Sequence, residues 1–182
     1  GGVGKTTLAS SVYYDPLILE HFVVRMWLTV SRDYVPSKSG KIILGLVNST
    51  KLLEEQGEND KSKMTTRIYP YVKGRRYLVV MDNIGSTEVW DGLKDLFLDD
   101  GNGSRIMLTT RLADVAADPD SNSLAHEMRF MTDSQSWELL KQKVFGNTDC
   151  PSELVEEVGK EIGRRCEGLP LAIVLIAGFP LA

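Results

Sequence analysis

Gly1-Gly2-Val3-Gly4-Lys5-Thr6-Thr7 is the stretch that decides how the rest of the chain is read. It matches the right-hand end of the pattern G-x-x-x-x-G-K-[ST]. Glycines let successive backbone N–H groups curl around phosphate oxygens with no Cβ in the way. A helix after the loop directs its N-terminal dipole at the same anion. In such a loop Lys5 supplies positive charge for the β- and γ-phosphates, and Thr6 offers a hydroxyl to Mg²⁺. Gly-Lys-Thr alone would as readily be a glycine-rich turn before a helix, so the reading depends on the rest of the chain. The first glycine of the pattern would fall before Gly1, and so would the strand that feeds the loop, which is central to the sheet in folds of this kind.

Working outward, short apolar runs alternate with amphipathic segments, the mark of an α/β domain with a mainly parallel sheet. Residues 6–14 read as a helix stopped near Asp15-Pro16. Residues 22–30 read as a strand. Ile42, Ile43, Leu46 and Val47 give residues 41–53 a helical spacing. Residues 54–63 are charged and read as a surface loop, and residues 64–72 as a helix interrupted by Pro70. Residues 77–81 form a continuous apolar run, as expected of a strand buried on both faces. Residues 105–109 form another such run, and 127–130 a weaker one.

The last third turns helical. Thr132 and Gln135 make a capping box before a helix at 136–145. Ser152 caps a second helix whose face would carry Val155, Val158, Ile162 and Cys166. Gly168-Leu169-Pro170 then breaks the chain before a short apolar helix. The expected division is a nucleotide-binding part over 1–131 and a helical part over 132–182. Gly168-Leu169-Pro170-Leu171-Ala172 is echoed by Gly178-Phe179-Pro180-Leu181-Ala182, too short a match for a structural repeat.

Composition excludes several classes. The chain has 182 residues, 42% hydrophobic and 25% charged, with a net charge of -4. It is long enough to bury a core without disulfide or metal staples. The even spread of charge makes no case for nucleic acid or an anionic membrane as partner. Cys150 and Cys166 lie outside any C-x-x-C pair, so zinc is not expected and two reduced thiols are. No apolar run reaches the roughly 18 residues of a membrane helix. His21 and His126 are isolated and read as structural or surface residues. With neither an initiator Met nor a signal segment, the sequence reads as a cytoplasmic piece of something larger.

Leu78-Val79-Val80-Met81-Asp82 is an apolar strand ending in an acid, the form of a Walker B element. An acid at the carboxyl end of such a strand lies beside the phosphate site and can hold Mg²⁺ through water. With that strand in place, the chain resembles the NB-ARC domains of plant disease-resistance proteins that carry nucleotide-binding and leucine-rich-repeat regions. The resemblance runs almost end to end through five ordered blocks: the phosphate loop, residues 22–31 with Trp27, residues 76–82, Gly103-Ser104-Arg105-Ile106-Met107-Leu108-Thr109-Thr110-Arg111, and Gly168-Leu169-Pro170-Leu171-Ala172. The second block is nearer the coiled-coil class than the Toll-receptor-like class.

The resemblance implies a P-loop NTPase-type parallel sheet flanked by helices, its first strand missing, followed by a truncated helical subdomain like the family's ARC1. It implies that Gly1, Gly2, Val3, Gly4, Lys5, Thr6 and Thr7 bind ADP or ATP, with Thr6 and Asp82 on Mg²⁺. Arg111 then resembles the sensor of the γ-phosphate, although by itself an arginine after a strand is as readily solvated. Pro170 resembles the proline that packs near the adenine, although alone it is a helix break. The partners implied are an N-terminal signalling domain and leucine-rich repeats of the same parent chain, with oligomerisation in the ATP form.

Three positions depart from the pattern. The family carries two acids at the end of its Walker B strand, and here they are Asp82 and Asn83. If the second acid is the base for the attacking water, Asn83 cannot serve. Gly85 stands where the coiled-coil class carries Trp, and Pro70 falls where the family has a helix. The leading expectation is a switch between ADP and ATP in plant defence with slow or no hydrolysis. The alternatives are a nucleotide-free interaction or decoy module, and an active ATPase.

Overall fold

The computed structural model describes residues 1–30, 72–94, 97, 101–116, 125–148 and 150–178. The chain forms two compact units: Thr6–Ala125, and Gly1–Lys5 with His126–Ala182. The expected helix at 41–53, the loop at 54–63 and Pro70 lie outside the described residues.

The first unit is built on three parallel strands: β1 (Val24–Thr29), β2 (Tyr77–Ile84) and β3 (Arg105–Thr110), side by side in that order. Register runs from Val24↔Tyr77 to Thr29↔Asp82 on one side of β2. On the other side it runs from Leu78↔Arg105 to Met81↔Leu108. Side chains alternate across a strand, and the two faces bury different sets. One face carries Met26, Leu28, Tyr77, Val79 and Met81 against Val89, Trp90 and Val115. The other carries Leu78 and Val80, with Trp27 and Met107, against Ala9, Tyr13 and Ile18. Helices therefore cover both faces, which is why β2 is apolar at consecutive positions. This is the parallel α/β sheet of P-loop NTPase type that the sequence led us to expect.

Helix α1 (Lys5–Tyr13) begins at the lysine of the glycine loop. It gives way to α2 (Pro16–His21), which sequence reading missed. Asp15 caps α2 by accepting from the Leu17 N–H at 2.8 Å, with Pro16 in the first turn. The Asp-Pro pair thus stops one helix and starts another. Helix α3 (Thr87–Lys94) comes after β2, and the short α4 (Ala113–Ala116) after β3.

The second unit packs α5 (Asp133–Phe145), α6 (Glu153–Arg165) and α7 (Pro170–Ala177) around Leu140, Cys166 and Ile173. Thr132 and Gln135 form the expected capping box, each side chain bonding the other residue's backbone N–H. Ser152 caps α6 by accepting from the Val155 N–H at 3.3 Å. Two sequence expectations fail here. Cys166, at the end of α6, is buried and Ile162 packs beside it as expected, but Val155 and Val158 are exposed, and within α6 the buried residues are Gly159 and Gly163. The approach is too close for larger side chains, since a Cβ on Gly163 would stand 3.2 Å from the Trp137 backbone nitrogen. Residues 127–130 are not a strand. A strand exists only where a ladder partner takes its N–H and C=O groups, and among the described residues nothing pairs with this one. Phe130 is 67% exposed.

Candidate functional site

At the carboxyl ends of the strands, three side chains from distant parts of the first unit meet. Thr6 comes from the first turn of α1, Asp82 from β2 and Thr109 from β3. The Thr6 hydroxyl donates to Asp82 Oδ1 at 2.8 Å and lies 3.1 Å from Oδ2. The Thr109 hydroxyl donates to the same Oδ1 at 2.5 Å. Asp82 is buried, as is Thr109, while Thr6 is exposed. A buried carboxylate needs hydrogen bonds to offset its lost hydration, and the two threonines provide them.

The donor set consists of hard oxygens. Magnesium takes one or two carboxylates and completes its shell with water and phosphate oxygens, rather than sitting in a cage of protein ligands. Among the described residues no group of three His, Cys, Asp or Glu could hold a metal. One carboxylate beside one hydroxyl therefore fits magnesium and does not fit zinc.

The glycine loop belongs to the second unit. Gly2 and Gly4 adopt φ of +82° and +95°, the left-handed region that glycine enters without steric cost. The Gly2 carbonyl accepts from the Leu171 N–H at 3.2 Å. A Cβ on Gly2 would stand 2.9 Å from the Leu171 Cβ, so glycine is required there for space as well. The first and last of the five sequence blocks are thus in direct contact. Pro170, half-buried, opens α7 at the same place. Behind it, the fold of the last block depends on Gly168, at φ +68°, whose carbonyl accepts from the Met131 N–H at 2.9 Å.

The other candidate residues lie in the glycine loop, the first turn of α1 and the ends of β2 and β3. Lys5, half-buried, is the first residue of α1, and Thr7 is exposed in its first turn. Gly1 is exposed and Val3 half-buried. Arg111 is exposed, directly after β3. Asn83 is half-buried beside Asp82, its side-chain amide donating to the Val30 carbonyl at 3.2 Å. Cys150 and Cys166 are free, and burial pushes the Cys166 thiol up, so it stays protonated and packs as an apolar group.

Thr109 was not legible as a site residue, although it lies within one of the five blocks. Its signal was a hydroxyl at the end of an apolar strand, in register with the strand that ends in the acid. Only β3's position beside β2 gives that hydroxyl its target.

Comparison with known proteins identifies a family and several relatives. Residues 1–150 match the family model for the NB-ARC domain. The disease resistance protein RPP13 of Arabidopsis thaliana is 37% identical, the match covering 98% of this chain and 22% of that protein. The late blight resistance protein R1-A of Solanum demissum is 36% identical over 98% of this chain and 14% of its own length. The putative late blight resistance protein homolog R1B-14 of the same species is 35% identical, over 98% and 13%. The chain therefore spans about a fifth or less of these relatives. Family membership implies nucleotide binding. A glycine loop continuing into a helix, a strand-end acid bonded to the threonine after the loop lysine, and a family model matched over most of the chain lead to one conclusion: the chain belongs to the NB-ARC domain family.

Proposed function

We propose that this chain is the nucleotide-binding part of a plant disease-resistance protein and works as a switch between ADP- and ATP-bound forms, with slow or no hydrolysis. The observation that carries the reading is the Thr6 hydroxyl on the Asp82 carboxylate, which joins the residue after the loop lysine to the strand-end acid. In this reading the loop N–H groups and Lys5 take the phosphates, and Thr6 and Asp82 hold Mg²⁺, Asp82 through water. The ion, when bound, would offset phosphate charge. Arg111 would distinguish ATP from ADP by its charge on the γ-phosphate, and Pro170 would lie near the base. A switch needs such a difference, because a ligand gripped equally in both states shifts nothing. The functional division is a nucleotide-binding part over 1–131 and a helical part over 132–182. The remaining partners are other domains of the parent chain, further copies of it in the ATP form, and the cytoplasm as compartment.

Asn83 favours a second reading on one point. Without a second acid there is no carboxylate base, and loss of a general base typically lowers a rate by about 10²–10⁴ while leaving binding intact. A module that binds nucleotide without turnover, or an interaction module that binds none, is therefore preferred to an active ATPase.

The test is to purify the full-length protein that carries this chain, denature it, and identify released nucleotide by mass, with Lys5→Ala as control. Bound ADP or ATP in the parent and none in the variant is expected. A folded parent without nucleotide would overturn the switch and leave the interaction module.

A further inference from the structure

Register between β2 and β3 runs residue for residue to Met81↔Leu108 and resumes at Ile84↔Thr110. Asp82 and Asn83 together therefore stand opposite Thr109 alone. A two-for-one bulge of this kind re-aims side chains at the end of a strand. Asn83 carries the irregularity, with φ of +66°. Asparagine enters that left-handed region more readily than most non-glycine residues.

The groups displaced by the bulge have other partners. The Asn83 backbone N–H donates to Thr109 Oγ1 at 2.9 Å. A backbone N–H can only donate, so the Thr109 hydroxyl accepts there and directs its single proton to Asp82. The Asn83 side-chain amide donates to the carbonyl of Val30, just beyond β1. The ends of all three strands are tied together through Asn83 and Thr109, around the carboxylate that receives Thr6.

We propose that Thr109 and Asn83 are positioning residues that fix the Asp82 carboxylate for magnesium, and that Asn83, where no base is present, serves as a strut between strands. The proposal rests on the nucleotide-and-magnesium reading above. It also sets the expected outcome of Asn83→Asp. An aspartate at position 83 has no side-chain N–H to give Val30, and it places a second negative charge beside Asp82. Asn83→Asp breaks the brace instead of creating turnover.

The test uses the full-length protein and calorimetric titration with ATP, in Mg²⁺ and again in EDTA. The ratio of the two affinities reads the magnesium contribution separately from the grip of the glycine loop. Thr109→Val keeps the shape and removes the hydroxyl. Its ratio is expected to fall about tenfold, the low end of what losing a metal ligand's hydrogen-bond partner costs, with EDTA affinity held within about twofold. Thr109→Ser, which restores the hydroxyl, is expected to keep the ratio. Asn83→Asp is expected to lower the ratio and to release phosphate no faster than the parent. If Thr109→Val does not fold, Asn83→Gly decides: glycine accepts the backbone angle, keeps the N–H on Thr109, and drops only the strut to Val30. Its ratio is expected to fall as well.

An unchanged ratio in Thr109→Val, or in Asn83→Gly where that variant decides, would overturn the proposal while leaving the switch standing. Faster hydrolysis in Asn83→Asp would do the same. A parent that binds no ATP under either condition would overturn the switch itself, and the positioning role with it.

Discussion

Gly168→Ala and Gly178→Ala make the same chemical change at the two ends of the short sequence echo, and the structure gives them opposite signs. Gly168 sits at φ +68°, and a Cβ there would overlap the Met131 carbonyl oxygen and stand 3.1 Å from the Phe130 Cβ. A non-glycine residue in the left-handed region costs about 1–2 kcal/mol. Relieving the overlap also strains the Met131 N–H to Gly168 carbonyl bond, worth about 0.5–1.5 kcal/mol. Together the penalty is about 1.5–3.5 kcal/mol, or roughly 10- to 300-fold in a local opening equilibrium. Gly178 has φ of -86°, and its Cβ would meet nothing nearer than the Val174 carbonyl oxygen at 3.5 Å. Alanine there restricts the unfolded chain and stabilises by about 0.4–1 kcal/mol. Hydrogen exchange followed by mass spectrometry on the full-length protein reads both. The Met131 amide is expected to exchange faster in Gly168→Ala, and the amides of α7 no faster than the parent's in Gly178→Ala. Equal protection of Met131 in Gly168→Ala and parent would show that no such strain exists at Gly168.

Three further outcomes are expected. Ser136 is wholly buried, and its hydroxyl has no hydrogen-bond partner among the described residues, so Ser136→Ala should raise stability by about 1 kcal/mol in denaturant titration. A Cβ on Gly159 would overlap the Trp137 ring, so Gly159→Ala should displace the ring and shift Trp137 emission to the red; overpacking strain of about 1–3 kcal/mol equals or exceeds the roughly 1 kcal/mol that alanine gains over glycine in a helix, so the melting temperature should not rise. On α6, the hydrogen bond from Arg165 at 2.8 Å, with Arg164 beside it, holds the Glu161 carboxyl below its usual 4.5. A lowered carboxylate contributes stability above its unfolded value and loses it as pH falls through the folded one. Melting of Glu161→Gln against parent should therefore differ slightly near neutrality and converge in acid below that value, and a difference that grew in acid would contradict the assignment.

Much of the fold was legible because local rules and burial pointed the same way. Residues 77–81 read as a central strand from apolarity alone, since helices on both faces leave β2 no polar side. Thr132 with Gln135 and Ser152 were legible as caps because capping is a contact within one turn of chain. Val155 and Val158 were misassigned because hydrophobic periodicity rewards large side chains, while α6 approaches Trp137 through its glycines. Residues 127–130 were misassigned because propensity cannot report whether a ladder partner is present.

Residue order alone gave the glycine-loop motif, the acidic strand end and the alternation that makes a parallel α/β sheet. These depend on residue type and short spacing, which the chain carries in its order. Tertiary structure alone decided that Thr109 bonds Asp82, that Asn83 braces β1 through a bulge, and that the first and last sequence blocks touch. Each of these contacts joins residues far apart in the chain, and each depends on a register or a close approach that residue order does not encode.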